Sequence, residues 1–367
     1  MICVDGGLRF GGCARFGCDA LYDGGSARFV SDALYDGGSA RYVSDALYDG
    51  GSARFVSDAA RRLRRLCFGG TTLPPAAAPL QRRGMAFAKV NLSLDIVSKR
   101  DDGYHEMLTV MQSVSLYDWV TVKCVRGEGI RISSGLPYVP SDERNIAARA
   151  AMAFFARTGI TGFGTYISME KRIPICAGLG GGSADGACVL RLLDNMFDTK
   201  LGRGELERLG SKIGADVPFC IAGGTSLARG RGDSLMDIAP LPQCWFVICK
   251  PPFSFSTPEL FGLIKCDKIR SRPDTDGIVA ALEKGDLSGV ARRMYNVFED
   301  FLPRSAHDIS DIKGELLENG ALGATMSGSG SAVFGIFDDE DTAKNAHERI
   351  KGKYEGCFLC SSMGIRD

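Results

Sequence analysis

Pro174–Ala187 reads PICAGLGGGSADGA, and four of its glycines fall within five residues, at positions 178 and 180–182. The preceding stretch, Thr165–Ile173, has the character of a strand, and Ala184–Phe197 carries apolar residues at helical spacing. A glycine-rich turn between a strand and a helix points its backbone N–H groups at negative charge, and the helix dipole favours an anion there. The segment therefore predicts a polyphosphate-binding loop with Ser183 at the helix start, the alternative being a flexible linker.

This loop matches neither of the two common phosphate-binding patterns. No Gly-Lys-Ser/Thr closes it as in a Walker A loop, and Ser183 stands where GxGxxG requires its third glycine. The residues alone thus indicate a phosphate loop of a third type, and its function has to be decided by other residues.

Several segments around the loop have the periodicity of regular elements. Ala86–Val97 alternates apolar and polar residues like a half-buried strand, which places Lys89, Asn91 and Ser93 on one face. Further strands are predicted at Leu108–Leu116, Trp119–Val125 and Ser331–Phe337, and further helices at Asn145–Thr158 and Arg203–Ile213.

Two more segments carry candidate chemistry. Ile213–Phe219 (IGADVPF) holds a lone Asp216 between apolar neighbours, as a turn cap, a general base or a metal ligand. Gly323–Gly330 (GATMSGSG) is a second glycine-rich turn before a strand, which suits either close packing or a phosphorylated ligand.

Composition limits the class of protein. A chain of 367 residues with 45% hydrophobic and 24% charged residues is long enough for two domains. Lys+Arg and Asp+Glu both total 44, so we expect no bulk electrostatic binding of nucleic acid or of anionic membrane. No apolar stretch is long enough to span a bilayer. Thirteen scattered cysteines and three histidines favour reduced thiols in a cytoplasmic protein over a metal site.

Residues 1–84 differ from the rest of the chain. They contain no Lys and no Glu, and from Asp19 the unit DALYDGGSARFVS runs three times with a period of 13 residues, to Ser57. Each unit contains a Gly-Gly pair, and the basic run Arg61–Arg65 and a Pro/Ala-rich linker, Thr71–Leu80, follow. A folded repeat, an organellar transit peptide and a duplicated nucleotide repeat read from an upstream start are the alternatives. We expect the last, with disorder throughout 1–84 and a functional start at Met85.

Five motifs together resemble the GHMP kinase superfamily, over about residues 85–365. They are AKVN at 88–91, DGYH at 102–105, PICAGLGGGSADGA at 174–187, GADVPF at 214–219 and SGSGS at 327–331. AKVN, DGYH and GADVP narrow the resemblance to the branch that phosphorylates a cytidine-linked methylerythritol in the non-mevalonate isoprenoid pathway. One departure is Ala177, where many members have glycine. It matters only if that position needs a positive φ.

The resemblance implies an α+β fold of two domains. Residues 85–240 would form a ribosomal-S5-like, ATP-binding N-terminal domain, and 241–367 a ferredoxin-like C-terminal domain. ATP and Mg²⁺ would be co-substrate and cofactor, and the γ-phosphoryl group would pass to the 2-hydroxyl of the acceptor. The metal ligands and the oligomeric state are not indicated.

The resemblance also assigns roles to individual residues. Asp216 would be the catalytic base, Lys89 would hold it and stabilise negative charge, and Asn91 and Thr257 would hold the methylerythritol. The loop would wrap the ATP phosphates with Pro174, Ile175, Cys176, Ala177, Gly178, Leu179, Gly180, Gly181, Gly182, Ser183 and Ala184. Tyr104, His105 and Phe261 would recognise the cytosine base by stacking and by its polar edge.

Three rival hypotheses remain open. Another GHMP kinase, acting on homoserine or mevalonate, would share the loop but would not need the aromatic residues. A nucleotide-binding regulator without turnover would lack Lys89 or Asp216, and both are present. A scaffold function carried by the repeat would predict divergence between its copies at surface positions, and the copies are nearly identical.

Overall fold

The computed structural model describes residues 8–10, 14–23, 26–35, 45–49, 52–54, 79–354 and 356–364, with side chains from residue 79 onward apart from that of 304. Contacts divide the chain into two units, Met1–Ala77 and Ala78–Asp367. Each unit is described by itself.

The first unit contains five short strands in one antiparallel sheet, ordered as in the sequence. They are β1 (Leu8–Phe10), β2 (Ala14–Asp23), β3 (Ser26–Tyr35), β4 (Asp45–Asp49) and β5 (Ser52–Arg54). The strands stop on either side of two of the Gly-Gly pairs, as the sequence predicts. The predicted disorder of this segment is not confirmed. The basic run at 61–65 and most of the predicted linker lie outside the described residues.

The second unit is built on one long hairpin. β6 (Leu80–Lys99) and β7 (His105–Arg126) pair antiparallel over almost their whole length, so two predicted strands merge into β7. Apolar residues of β6 at alternate positions, 86 to 96, are almost fully buried. The intervening polar residues, from Lys89 to Asp95, are buried as well, at 0–6% exposure. A face that the alternation predicted to be solvated is therefore covered, and it carries the candidate site.

β6 also begins earlier than predicted. Residues 80–84, for which disorder was predicted together with the rest of 1–84, pair with β7. Arg83 forms an ion pair with Glu170 at 2.7 Å, and its guanidinium lies 4.2 Å from the centre of the Trp119 ring. The start of the folded unit at Met85 is thus corrected to about Leu80, because these contacts and the strand ladder include the preceding residues.

Five further strands complete the first sheet of this unit. They are β8 (Ile130–Ser133), β9 (Phe163–Glu170), β10 (Thr225–Gly230), β11 (Ser234–Asp237) and β13 (Tyr295–Asn296). The strand order in the sheet is β11–β10–β7–β6–β13, and β9 pairs with the second half of β7 and, in parallel, with β8.

Four helices pack with this sheet. They are α1 (Ile146–Thr158), α2 (Gly181–Phe197), α3 (Gly202–Ser211) and α4 (Val217–Ala222). α2 is central, because it contacts the hairpin, α1 and α4. It begins at Gly181, three residues before the predicted start, so three glycines and Ser183 of the loop lie at its N-terminal end.

The C-terminal part forms a second, four-stranded antiparallel sheet in the order β14–β15–β12–β16. Its strands are β12 (Trp245–Lys250), β14 (Gly323–Met326), β15 (Val333–Phe337) and β16 (Gly356–Ser361). α8 (His307–Glu318) precedes β14 and packs on β14 and β15, and α9 (Glu340–Ile350) packs on β12 and β16. This β-α-β-β-α-β order is ferredoxin-like, as predicted.

Three short helices follow β12, namely α5 (Thr257–Leu263), α6 (Thr275–Glu283) and α7 (Leu287–Ala291). Single 3₁₀ turns lie at Cys266–Lys268, Val297–Phe301 and Arg304–Ala306. Among the described residues, no helix has both the length and the apolar character needed to cross a bilayer.

One strand of the C-terminal part joins the first sheet. β13 comes from the C-terminal part but pairs in parallel with β6, Tyr295 with Ser93 and Asn296 with Leu94. The Asn296 side chain donates to the carbonyls of Met326 and Gly328, both at 2.8 Å. The division at residue 240 remains a prediction, but the C-terminal part supplies an edge to the first sheet.

Candidate active site

The two glycine-rich segments lie against each other. Gly178 has φ = 76°, and a Cβ atom there would lie 1.9 Å from the backbone oxygen of Ser327. The Ser327 hydroxyl donates to the Gly178 carbonyl at 3.0 Å, and the amide of Ala332 donates to the Ala177 carbonyl at 3.0 Å. Glycine is therefore required at 178 both by conformation and by space. Ala177 has no positive φ, so alanine there is harmless, as expected.

The same loop is fixed to β6. The Lys89 amide donates to the Leu179 carbonyl at 3.0 Å, and Gly180, at φ = 69°, lies against the Lys89 side chain. Gly180 is the residue before α2, and no side chain caps this helix. The first amides of α2 are thus left to an external acceptor, which suits a phosphate.

Lys89 and Asp216 meet beside this loop. The Lys89 side chain is 4% exposed, and its Nζ lies 2.7 Å from Oδ1 of Asn91 and 3.5 Å from Oδ2 of Asp216. Asn91 in turn donates to the Thr109 hydroxyl at 2.8 Å, and that hydroxyl donates to the Ser93 carbonyl at 2.6 Å. The ammonium is therefore held in one position by buried hydrogen bonds.

Asp216 precedes α4 but does not cap it. No side-chain hydrogen bond from Asp216 reaches the helix amides, and its side chain is 35% exposed. The turn-cap interpretation is wrong, because the carboxylate is directed to Lys89 and the cavity instead. A part-exposed carboxylate with an oxygen open to the cavity can accept a proton from a bound hydroxyl.

A buried charge network beneath the helix start was not predicted. Lys171 forms ion pairs with Asp118 and with Asp185, the latter at 2.5 Å. Asp118 also accepts the amide of Ile173 at 2.8 Å. Burial, opposed by Lys171 and reinforced by Asp118, raises the pKa of Asp185 to about 7. Because its members are 53 and 14 residues apart in sequence, no spacing rule could have indicated the network.

The predicted aromatic residues gather on the other side of the site. His105 and Phe261 stack with ring centres 5.2 Å apart, and Phe261 rests edge-on against Phe298 at 4.9 Å. Tyr104 is 58% exposed, with the Arg231 guanidinium 5.4 Å from its ring centre. Burial, and next the charge of Lys99, lower the pKa of His105. Both effects favour the neutral form of the ring.

These groups line two adjoining cavities of about 700 and 750 Å³. The first contains the loop, Lys89, Asn91 and Asp216, and the second contains Tyr104 and His105. Residues that line both include Gly214, Ala215, Arg231, Thr257 and Phe261.

Thr257 lines both cavities, whereas Ala184 lines neither. Thr257 lies within 2.8 Å of the Ser329 hydroxyl, at the junction of the cavities and beside the second glycine turn. Ala184 departs from the prediction: it is 2% exposed, packs into the core and is absent from the cavity lining. The reason is that α2 starts at Gly181 and turns this side chain inward.

Comparison with known proteins defines the class first. The family model described as GHMP kinases N terminal domain matches residues 145–224, and that described as GHMP kinases C terminal matches 278–356. Solved structures with the same fold include a mevalonate kinase of L. major, at 17% identity and a TM-score of 0.62 over 79% of this chain and 98% of that one. The two family-model matches indicate the GHMP kinase class.

More similar relatives narrow the class. The 4-diphosphocytidyl-2-C-methyl-D-erythritol kinases of Clostridium botulinum (strain Alaska E43 / Type E3) and Alkaliphilus metalliredigens are 42% and 43% identical, over 76% of this chain and 99% and 96% of theirs. A crystal structure of 4-(cytidine 5'-diphospho)-2C-methyl-D-erythritol kinase superposes with a TM-score of 0.66 at 33% identity, covering 77% of this chain and 100% of that one. The chain belongs to the 4-diphosphocytidyl-2-C-methyl-D-erythritol kinase family.

Proposed function

We propose that this kinase transfers the γ-phosphoryl group of ATP to the 2-hydroxyl of 4-diphosphocytidyl-2-C-methyl-D-erythritol, a step of the non-mevalonate isoprenoid pathway. One observation carries the proposal. The Lys89–Asp216 pair lies in a cavity with a phosphate loop, and that cavity adjoins another that contains an aromatic cluster. Such a site suits a donor polyphosphate on one side and an acceptor with a nucleobase on the other.

On the donor side, the loop binds the ATP phosphates. The amides at the start of α2 have no side-chain cap, and the backbone around Gly178 and Gly180 is held in place by Ser327 and Lys89. A rigid set of N–H donors binds anions without a cost of ordering at the moment of binding. Glycine is needed at 178 and 180 because the loop backbone lies in close contact with Ser327 and Lys89 there.

At the reaction centre, Asp216 accepts the proton of the acceptor hydroxyl as that oxygen bonds to the γ-phosphorus. Lys89, 3.5 Å away, stabilises the negative charge on the transferred group and holds the carboxylate in place. Phosphoryl transfer needs mainly positioning of the reactants and neutralisation of charge, and Lys89 and Asp216 can supply both at the reaction centre. Asn91, which accepts a hydrogen bond from Lys89, and Thr257, which lines both cavities, hold the methylerythritol hydroxyls in this proposal.

Mg²⁺ would enter with ATP, bound largely by phosphate oxygens, and would neutralise charge on the transferred group. The chain offers oxygen donors that fit a hard cation. Oδ1 of Asp185 is buried without a hydrogen-bond partner, and Asp185 and Ser183 both line the first cavity. These two residues would hold the ion. Among the described residues, the one His/Asp grouping with metal-ligand spacing, at 307, 308 and 311, lines neither cavity.

On the acceptor side, the cytosine base stacks on Tyr104 and on the His105–Phe261 pair. Each base–aromatic contact contributes roughly 1–3 kcal/mol. Arg231, which the sequence analysis missed, lies over the Tyr104 ring and lines both cavities, so it also faces the base. A homoserine or mevalonate acceptor has no base and would leave this cluster unused. We place the reaction in the cytoplasm, as proposed from the cysteine content.

The test is a coupled ADP-release assay on the full chain, with and without the cytidylyl acceptor. Asp216→Asn should lower kcat by about 10²- to 10⁴-fold and leave the KM for ATP nearly unchanged, because the carboxylate acts on the acceptor. Asp267→Asn, an exposed carboxylate outside both cavities, is the matched control. Retention of more than about a tenth of wild-type kcat by the Asp216 variant would reject the base assignment. Phosphorylation of homoserine or mevalonate at a higher kcat/KM would reject the acceptor.

A further inference from the structure

The second cavity has an excess of positive charge. Four cationic side chains line it, and no carboxylate does so among the described residues. Arg231 is already paired with Asp233 at 2.6 Å. Within the described part of the chain, Lys99, Arg149 and Lys212 have no acidic partner within ion-pair distance. Unpaired cations that share one concave surface indicate a site for an anion.

Two of these cations belong to neighbouring segments, next to the stretch of chain that leads to the catalytic carboxylate. Arg149 comes from α1 and Lys212 from the turn after α3, and Nη2 of Arg149 donates to the Lys212 carbonyl at 3.4 Å. The chain then runs through Gly214 and Ala215, which line both cavities, to Asp216. Lys99 instead lies beside His105 and lowers the pKa of that ring. Arg149 and Lys212 thus belong to the reaction-centre side and Lys99 to the aromatic side.

We propose that Arg149 and Lys212 bind the diphosphate that joins the two halves of the acceptor. This inference rests on the proposed function and extends it. With the base in the second cavity and the reacting hydroxyl at Asp216 in the first, the diphosphate lies between them. Arg149 and Lys212 line the second cavity beside Gly214 and Ala215, which both cavities share. A guanidinium binds two phosphate oxygens at once, and an ammonium adds a mobile positive charge.

The phosphates of ATP are the alternative ligand for Arg149 and Lys212. Neither Arg149 nor Lys212 lines the first cavity, where the phosphate loop lies. Lys89, Lys171 and Arg144 line that cavity instead. The two cations are therefore assigned to the acceptor, and they would make the enzyme prefer nucleotide-linked acceptors over free nucleosides.

The experiment compares cytidine with CDP as calorimetric probes, with the donor site saturated by ADP. The wild type should bind CDP at least about 10-fold more tightly than cytidine, since charged hydrogen bonds contribute that much or more. Arg149→Gln and Lys212→Gln should each lower this preference about 10-fold and leave cytidine affinity and the KM for ATP unchanged. Arg149→Lys should retain part of it. Lys284→Gln, an exposed lysine outside both cavities, should behave as wild type.

An unchanged CDP-to-cytidine ratio in both glutamine variants would overturn the inference. A raised KM for ATP, with CDP binding intact, would assign the cations to the donor and overturn it as well. A wild type that binds neither cytidine nor CDP would reject the proposed acceptor itself. This last outcome separates failure of the function from failure of the diphosphate site.

Discussion

Substitution of Gly178 by alanine tests whether the two glycine segments form one structural unit. An alanine at φ = 76° pays about 1–2 kcal/mol for the left-handed conformation. The added Cβ would lie 1.9 Å from the Ser327 oxygen, and this atom belongs to the backbone and cannot rotate away. The segments must separate, which breaks the Ser327–Gly178 and Ala332–Ala177 hydrogen bonds, at about 1 kcal/mol each. The expected loss is about 3–4 kcal/mol in the free energy of unfolding.

The assay is urea denaturation of both proteins together with the KM for ATP, which should rise because the loop amides are displaced. Gly182→Ala is the matched control in the same loop. Gly182 has no positive φ, and the nearest atom to an added Cβ there is Cδ1 of Ile146 at an ordinary 3.6 Å. Its unfolding free energy should therefore stay within about 1 kcal/mol of wild type. If Gly178→Ala loses less than about 1 kcal/mol and keeps its KM for ATP, the interlocked-loop argument fails.

Five other variants, which alter the aromatic cluster, the buried charge network and the N-terminal segment, have distinct expected outcomes. Tyr104→Ala and Phe261→Ala should each raise the KM for the cytidylyl acceptor about 5- to 150-fold by loss of stacking, with the KM for ATP nearly constant, and equal effects on both substrates would make the rings structural. Asp185→Asn removes a carboxyl whose raised pKa, about 7, makes the folded state hold a proton that the unfolded state releases near pH 4. As the pH rises from 4 to 7, the free energy of unfolding of the wild type should therefore fall relative to that of this variant, as measured by denaturant titration at each pH. A difference between the two proteins that does not change with pH would refute the raised pKa of Asp185. Deletion of residues 1–79 should leave the melting temperature and kcat/KM unchanged. Deletion of 1–84 should lower the melting temperature, because the Arg83 contacts with Glu170 and Trp119 are lost; equal melting temperatures would show that those contacts contribute nothing.

The sequence predicted the local elements of this fold well and their partners poorly. The glycine loop and α2 were evident from composition and helical spacing, because those signals lie within one short window. The burial of Lys89 and Asn91 could not be foreseen, since alternation predicts one wet face and the covering segment, around Ser327, lies 236 residues away from Asn91. The merging of two predicted strands into β7 has a similar cause, because different halves of β7 pair with β9 and β10.

The phosphate loop and Asp216 could be proposed from the residues themselves, and the remaining site residues only where a resemblance named them. The roles of Lys89 and of the aromatic residues came from motifs, whereas Arg149 and Lys212 lie outside any motif and became visible only as unpaired charges that line one cavity. A lone surface cation carries no signal in sequence, because most of them are simply solvated.

The pairing of β13 with β6 has a consequence for synthesis on the ribosome. Ser93 and its partner Tyr295 are about 200 residues apart, so at typical elongation rates roughly 10–40 s separate their emergence. During that interval β6 lacks its pairing partner at Ser93 and Leu94, and Asn296, which binds the carbonyls of Met326 and Gly328, has not yet been made. An unpaired strand edge is a docking place for other chains. The nascent chain therefore exposes this short stretch of strand edge to other chains until Tyr295 and Asn296 emerge, and the second glycine turn at Gly328 can be fixed only after that point.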